Sequence, residues 1–220
     1  MNDPNKEILI NNPHQFENLL YDSPEIRKLL KSTCFDNDYG YDGDIPSKLK
    51  YFDYVLNEVS QTGMWLEFGV WEGWSINKIC TKTSNQMYGF DSFEGLPEAW
   101  VHRSKDFFKV KNIPNVDENV TLVPGWFEDT IPKFIKSKNF KDFSSVIHID
   151  SDLYLSAKIV LDSFKNTIKS GTIIMFDEYF YCKDTEKHEY KAFMEFVEEN
   201  NIKYRYIAHT DRGCVSVLIL

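Results

Sequence analysis

The chain has 220 residues, with 34 acidic side chains against 25 Lys and Arg and a formal net charge of −9. An acidic chain without a long basic cluster repels polyanions, so we expect no nucleic-acid partner and favour a small-molecule ligand. The apolar content of 42% predicts a globular fold, and no apolar run approaches the roughly 20 residues that span a bilayer, so no membrane partner is expected.

The N-terminus and the cysteines indicate the compartment. Residues 1–14 are polar and lack a basic-then-apolar signal pattern, which predicts a cytoplasmic protein. The four cysteines lie far apart and form no CxxC pair, so they predict packed, reduced thiols rather than a zinc knuckle or a disulfide framework. They are Cys34, Cys80, Cys182 and Cys214.

The first part of the chain, residues 1–62, is predicted to be a helical extension or lid. Pro24–Lys31 and Pro46–Gln61 both carry apolar side chains at helical spacing. Between them lies the acidic, aromatic and glycine-rich loop Phe35–Asp44, which is either a lid over the substrate or a solvated connector.

From Met64 onward, apolar runs alternate with amphipathic segments, which predicts a single α/β domain over residues 63–220 with a mostly parallel sheet and helices on both faces. The short turn His209–Gly213 predicts that the last two strands form an antiparallel hairpin. The predicted strands are Met64–Phe68, Gln86–Asp91, Asn119–Pro124, Ser144–Asp150, Thr172–Asp177, Lys203–Ala208 and Cys214–Leu220. The predicted helices are Gly73–Thr83, Asp129–Lys138, Tyr154–Lys169 and Thr185–Asn200.

The segment Met64–Gly73 joins an apolar strand to a turn with two glycines, and the next strand ends on Asp91. This layout predicts a nucleotide-like cofactor site in which Asp91 holds a ribose diol. The dinucleotide pattern GxGxxG is absent, and Glu67 and Glu72 would repel a pyrophosphate. Acidic side chains at this turn favour a cofactor with positively charged groups. S-adenosylmethionine, which has an ammonium and a sulfonium group, therefore fits better than NAD. A nicotinamide-binding oxidoreductase is the least favoured interpretation.

Further acids follow two later strands. Because parallel strands end at the same edge of a sheet, these carboxylates should converge, and a divalent cation would relieve their repulsion. The predicted magnesium ligands are Asp150, Asp177 and Glu178, with Asp152 as an alternative to Glu178. The simpler alternative is that Asp150 caps the following helix and that the other acids face water.

Four blocks between Met64 and Tyr179 resemble the macrocin O-methyltransferase family. They are WLEFGVWEG (65–73), FDSFEGLP (90–97), GWFEDTIP (125–132) and HIDSDLY (148–154). The resemblance implies a Rossmann-like class I methyltransferase with a seven-stranded, mostly parallel sheet and a C-terminal antiparallel hairpin. It further implies S-adenosylmethionine, magnesium, a sugar or glycosylated small molecule as methyl acceptor, and self-association.

The same resemblance implies roles for individual residues. The turn would hold the methionine and ribose end, Asp91 would hold the ribose hydroxyls, and four residues from the later blocks would enclose the adenine. Asp150 would contact both cofactor and metal, whereas Glu178 stands where the family usually has an aspartate. The implied cofactor-binding residues are Glu67, Phe68, Gly69, Gly73, Ser75, Asp91, Ser92, Phe93, Trp126, Phe127 and Asp150.

Methyl transfer to a hydroxyl needs an oriented acceptor and a group that takes its proton. A bound divalent ion would lower the pKa of the acceptor, and the residues predicted to act in catalysis are Asp150, His188 and Glu189. His148 is more typical of a hydrogen-bonded core residue. The long connection Glu98–Asp117 is predicted to recognise the acceptor, since connections of this length inside a compact fold are commonly functional.

Two alternatives stay open. One is a metal-independent methyltransferase that uses a side-chain base on an oxygen or nitrogen acceptor, which activity in EDTA would identify. The other is a non-catalytic binding module that keeps the fold and cofactor pocket.

Overall fold

A computed structural model describes residues 29, 32–35, 46–57, 59–100, 103–180, 187–210 and 213–220. The predicted helix Pro24–Lys31, apart from Leu29, lies outside these residues. The same is true of the predicted loop after Phe35 and of the start of the predicted helix Thr185–Asn200.

The described elements alternate between strand and helix as the sequence predicts. The strands are β1 (Thr33–Phe35), β2 (Met64–Phe68), β3 (Met87–Asp91), β4 (Val120–Pro124), β5 (Ser144–Ile149), β6 (Ile173–Phe176), β7 (Tyr204–Thr210) and β8 (Val215–Ile219). The helices are α1 (Pro46–Leu56), α2 (Trp74–Ile79), α3 (Phe127–Ile135), α4 (Tyr154–Phe164) and α5 (Glu189–Asn200), and the 3-10 turn Cys80–Lys82 follows α2.

The strands form one sheet in the order β1-β7-β8-β6-β5-β2-β3-β4. Strands β2 to β6 are mutually parallel, and β8 is antiparallel to both β6 and β7. The predicted five parallel strands with a terminal hairpin are therefore confirmed. The short strand β1, which the sequence does not predict, adds an eighth strand parallel to β7.

Helix α4 ends at Phe164, five residues before its predicted end at Lys169. The hydroxyl of Thr167 donates to the Phe164 carbonyl at 2.8 Å and shares a 2.7 Å hydrogen bond with the Ser144 hydroxyl. These contacts draw the chain toward the start of β5, and a side chain that bonds a nearby carbonyl competes with helix continuation.

Apolar side chains cover both faces of the sheet. On one face the rings of Phe68 and Phe90 stack at 4.7 Å, and Phe164 of α4 packs edge-on against Phe68 at 5.4 Å. On the other face α1 buries Tyr51 and Phe52 among residues of β2, β5 and β6. Helix α1 thus shares the core of the sheet, while the predicted division between residues 62 and 63 stays a prediction.

Two further findings concern the thiols and the helices. Cys80 and Cys214 are buried free thiols in the described part of the chain. None of the described helices has both the length and the apolar character needed to cross a membrane.

Replacing Phe164 with alanine is expected to lower the free energy of unfolding by about 3–5 kcal/mol, because the ring is fully buried and its loss leaves a cavity. Urea denaturation followed by circular dichroism measures this change. Ile113→Ala, at a side chain that is 52% exposed, is the control and should change stability by less than about 0.5 kcal/mol. Equal effects of the two substitutions would contradict the assignment of the core.

Candidate functional site

The carboxyl ends of the parallel strands meet at one edge of the sheet. Hydrogen bonds join the residues that leave the strands: the Asp150 N–H donates to the Phe68 carbonyl at 2.8 Å, and the Asp177 N–H donates to the Ile149 carbonyl at 3.0 Å. The chain segments after β2, β5 and β6 therefore leave the sheet side by side. Their side chains border a cavity of about 940 Å³.

Most of the predicted site residues line this cavity. The predicted cofactor residues in its lining are Gly69, Ser75, Asp91, Ser92, Trp126, Phe127 and Asp150, joined by the predicted metal ligands Asp177 and Glu178. The described lining does not include Glu67, Phe68, Gly73, Phe93, His188 or Glu189. Phe68 is a core side chain, and Gly73 is the left-handed residue at the start of α2.

Asp91 ties together the turns that follow β2 and β3. Its Oδ2 accepts the N–H groups of Val70 and Trp71, both at 2.8 Å, and its Oδ1 accepts the N–H of Phe93 at 2.6 Å. Trp71 and Phe93 both have positive φ, at 47° and 58°. Strained backbone at two turns persists because one carboxylate holds both, which is typical of a binding site.

Gly69 must be glycine because the chain passes very close to Asp150. Its φ is +94°, and a Cβ built on it would lie 1.7 Å from the Asp150 carbonyl oxygen. The turn after β2 is therefore fixed against the start of the loop after β5, and this turn, the cradle at Gly69, lines the cavity.

Gly69→Ala is expected to destabilise the fold by more than Gly171→Ala. Gly171 has the same φ of +94°, but a Cβ there meets its nearest atom at 3.8 Å. Gly171→Ala therefore reports the backbone strain alone, about 1–2 kcal/mol, whereas Gly69→Ala adds a clash with backbone. Thermal unfolding of both variants measures the difference, and equal losses would show that Gly69 and Asp150 are not in contact.

Glu67 lies beneath the cavity in a buried hydrogen-bonded group. Its carboxylate accepts the Ser75 hydroxyl at 2.8 Å and pairs with His148 Nδ1 at 3.1 Å. Burial tends to lower the pKa of His148, but the hydrogen bond and charge of Glu67 outweigh it and leave that pKa raised. Glu67 thus joins α2 to strands β2 and β5, and His148 is held in the core as its sequence position indicates.

Lys48, which is not among the predicted site residues, extends from α1 into the site. Its ammonium lies 2.5 Å from Asp177 Oδ1, and the Cys214 thiol donates to the same oxygen at 3.2 Å. Burial tends to raise the pKa of Asp177, yet the charge of Lys48 overcomes this and lowers it. Burial tends to lower the pKa of Lys48, and Asp177 raises it overall.

Asp150 and Asp152 face the same cavity with unlike environments. Burial, followed by the charge of Asp177, raises the pKa of Asp150 to about 7. Burial, followed by the charge of Asp150, raises the pKa of Asp152 well above its usual value. Asp152 also has a φ of 61° and is 5% exposed. Buried carboxyl groups with raised pKa values at a cavity are typical of acid–base chemistry.

Glu189, a predicted catalytic residue, connects two loops. It is fully buried at the start of α5, and its carboxylate accepts the N–H of Ser151 and the N–H of Glu178, both at 3.2 Å. It therefore holds the loops after β5 and β6 in place. His188, the other catalytic candidate on this segment, occupies the N-cap position of α5 and is partly buried.

A divalent cation would need ligands that are free to turn toward it. The donor atoms of His148, Asp150 and Asp177 all lie within 4.8 Å of one another, and two of them are the carboxylates that magnesium prefers. However, the carboxylate of Asp177 is paired with the ammonium of Lys48. Glu178 is outside this group, and its buried Oε2 has no hydrogen-bond partner among the described residues. As arranged, Asp177 has an ammonium in place of a divalent ion as its partner, and magnesium held by Asp150, Asp177 and Glu178 stays a prediction.

An aromatic group forms another part of the cavity wall. The Arg103 guanidinium lies 4.1 Å from the centre of the Phe107 ring and 5.4 Å from that of Phe108, and Phe108 packs edge-on against Trp71. These residues line the cavity together with Trp100. Part of the segment Glu98–Asp117 thus borders the cavity, its role in acceptor recognition stays a prediction, and Val101 and His102 lie outside the described residues.

Comparison with known proteins gives curated relatives in two actinobacteria. The chain is 27% identical over 176 residues to 8-demethyl-8-(2,3-dimethoxy-alpha-L-rhamnosyl)-tetracenomycin-C 4'-O-methyltransferase of Streptomyces olivaceus, covering 66% of this chain and 65% of that protein. It is 26% identical over 175 residues to demethyldecarbamoylnovobiocin O-methyltransferase of Streptomyces niveus, covering 67% and 64%. The chain thus spans slightly less than two thirds of the length of each relative.

Solved structures share the fold. The O-methyltransferase NovP has a TM-score of 0.59 at 23% identity, with 78% of each chain covered. A calicheamicin methyltransferase has a TM-score of 0.61 at 18% identity, with 99% of this chain and 94% of that chain covered. The predicted class I methyltransferase fold is confirmed.

A family model described as a methyltransferase domain matches residues 66–179. The match runs from β2, across the cradle at Gly69 and the carboxylate of Asp91, to the acids after β6. The finer assignment to the macrocin O-methyltransferase family stays a prediction. Because the model spans more than half of the 220 residues, the chain belongs to this family of methyltransferase domains.

Proposed function

We propose that the protein is an S-adenosylmethionine-dependent O-methyltransferase acting on a hydroxyl of a sugar or glycosylated small molecule. The observation that carries the proposal is the position of Asp91, whose carboxylate is bound to three backbone N–H groups at the cavity edge. This is the strand end at which open α/β folds hold a ribose. The adjoining turn at Gly69 borders the same cavity.

The charge of the site agrees with this cofactor. Glu72, Asp91, Asp150 and Asp152 border the cavity, so a ligand with ammonium and sulfonium groups is favoured over a pyrophosphate. S-adenosylmethionine supplies an activated methyl group on its sulfonium. The contribution of the protein is to orient the acceptor oxygen in line with that methyl group, to exclude water and to take the proton.

Asp150 is the residue proposed to take the acceptor's proton. A general base works best when its pKa lies near the operating pH, and the pKa of Asp150 is raised to about 7. Asp152, whose pKa is raised well above the usual value by burial and by the charge of Asp150, is proposed to hydrogen-bond the acceptor. Glu189 acts as a positioning residue, because its carboxylate accepts the N–H groups of Ser151 and Glu178 in the two loops that carry these acids.

The acceptor class rests on the relatives and on the cavity wall. Both curated relatives are named as O-methyltransferases, and the name of one includes a rhamnosyl group. Sugars present apolar C–H faces together with hydroxyls, and the group formed by Trp71, Trp100, Phe107 and Phe108 offers aromatic surface for such faces. The described part of Glu98–Asp117 is therefore proposed to recognise the acceptor.

The test is methyl transfer from S-adenosylmethionine to a panel of free sugars, glycosides and nucleotide-linked sugars, read by mass spectrometry. A gain of one methyl group on a hydroxyl supports the proposal. Cofactor binding without transfer to any acceptor favours the non-catalytic module instead. Each reaction is run in EDTA and in magnesium, because the pairing of Lys48 with Asp177 favours the metal-independent form over the metal-dependent one. Self-association and cytoplasmic location stay predictions.

A further inference from the structure

Lys48 is a buried cation inside the acid group at the carboxyl edge. Its side chain is 12% exposed and that of Asp177 is 16% exposed, and their charged atoms lie 2.5 Å apart. Burying an ammonium is costly unless it is paired, so the pairing with Asp177 is required for this placement.

The position of the ammonium is fixed by packed elements. Lys48 Nζ lies 5.9 Å from the centre of the Phe52 ring and 5.7 Å from that of Trp74, which belong to α1 and α2. One turn along the helix from Lys48, the hydroxyl of Tyr51 hydrogen-bonds Ser216 of β8. Helix α1 is thus anchored to the sheet, and the lysine stem lies between aromatic rings rather than in solvent.

Lys48 places one monovalent cation among the carboxylates of the cavity. Glu67 and His148 pair with each other, which leaves the carboxylates of Asp150 and Asp177 facing a single ammonium. A divalent ion bound by these carboxylates would lie against the ammonium, and two cations at contact distance repel strongly in a partly buried site. The two cations are therefore alternatives.

The geometry points to Lys48 as the resident cation of the group formed by His148, Asp150 and Asp177, where it excludes divalent metal ions. In the resting protein Lys48 neutralises the carboxylates that would otherwise bind such an ion. Its further role, to attract the acceptor oxygen next to Asp150, rests on the proposed function. The exclusion of metal does not rest on it.

The test measures Mn²⁺ binding by the electron paramagnetic resonance of free Mn²⁺, which needs neither cofactor nor acceptor. Wild-type protein, Lys48→Met and Lys48→Arg are titrated, and circular dichroism checks that each is folded. The expected result is no saturable micromolar binding by wild-type protein or Lys48→Arg, and at least tenfold tighter binding by Lys48→Met. Adding Asp177→Asn to Lys48→Met should remove the gain, which places the ion at this group.

Two results would overturn the inference. One is micromolar, stoichiometric Mn²⁺ binding by wild-type protein that Asp177→Asn removes. The other is a folded Lys48→Met protein that gains no affinity. If Lys48→Met does not fold, Lys48→Gln, which keeps a polar group beside Asp177, replaces it under the same criteria.

The activity assays separate this inference from the proposed function. Methylation that requires added magnesium in wild-type protein would contradict the role of Lys48 while supporting methyl transfer. Absence of methylation together with the expected Mn²⁺ results would count against the proposed function and leave the assignment of Lys48 intact.

Discussion

Replacing Asp150 with asparagine is expected to lower kcat by about 10²–10⁴-fold, the usual contribution of a positioned general base. An amide has nearly the same shape but cannot accept a proton. The carboxylate lines the cavity beside the pair formed by Lys48 and Asp177. Steady-state kinetics with a methylated acceptor measures the change.

The pH profile gives an independent reading of the same residue. The pKa of Asp150 is raised to about 7, so the carboxyl is protonated and inactive below that pH and ionised above it. The kcat/KM of wild-type protein, which reports the pKa values of the free enzyme, should fall about tenfold per pH unit below about 7, and Asp150→Asn should lose this limb of the profile.

Two controls accompany Asp150→Asn. Asp142→Asn changes an exposed acid before β5, at the opposite edge of the sheet, and should leave kcat unchanged. Asp152→Asn keeps a side chain that can donate a hydrogen bond and should lower kcat by less than about tenfold, the value of one hydrogen bond, and asparagine tolerates the φ of 61° at this position. A kcat for Asp150→Asn within a few-fold of wild type would remove Asp150 from the role of base.

Asp91→Ala is expected to weaken S-adenosylhomocysteine binding by about 100-fold or more. The substitution removes the acceptor for the ribose hydroxyls, and charge-assisted hydrogen bonds contribute about 1.5–3 kcal/mol each. It also frees three backbone N–H groups, so the turns after β2 and β3 lose their common anchor. Isothermal titration calorimetry measures the change.

Asp91→Asn separates these two effects. Its amide oxygen can still accept the N–H groups of Val70 and Trp71, but its NH2 group cannot accept the N–H of Phe93, so Asp91→Asn removes the negative charge and only part of the backbone anchor. We expect it to bind with an affinity between those of wild-type protein and Asp91→Ala. Asp142→Ala is the matched surface control and should bind like wild type, and equal affinity of Asp91→Ala and Asp142→Ala would exclude Asp91 from the cofactor site.

The sequence predicts the sheet well because buried parallel strands are continuous apolar runs. Met64–Phe68 has the predicted bounds, and the other six predicted strands are all present. Strand β1 is missed because three residues carry no periodic signal, and its pairing with β7 depends on tertiary contacts. The early end of α4 likewise depends on Thr167 meeting Ser144, two residues far apart in the chain.

The sequence locates the strand-end acids but does not reveal what each one contacts. The sequence makes Glu189 a candidate catalytic residue. Its hydrogen bonds to the N–H groups of Ser151 and Glu178 form only when the two loops are folded together. Lys48 did carry a signal. It precedes Tyr51, Phe52 and Val55 by three, four and seven positions, which places a lysine on the buried stripe of α1. Such a lysine needs a buried acid as partner, and Asp177 supplies it.

The central claim is that the cavity at the carboxyl edge holds S-adenosylmethionine. Calorimetric titration of the wild-type protein with S-adenosylhomocysteine, and separately with NADH, tests it most directly. The account predicts saturable binding of S-adenosylhomocysteine near micromolar, about −8 kcal/mol, and no measurable binding of NADH. A folded protein that binds NADH in preference, or that does not bind S-adenosylhomocysteine, would contradict it.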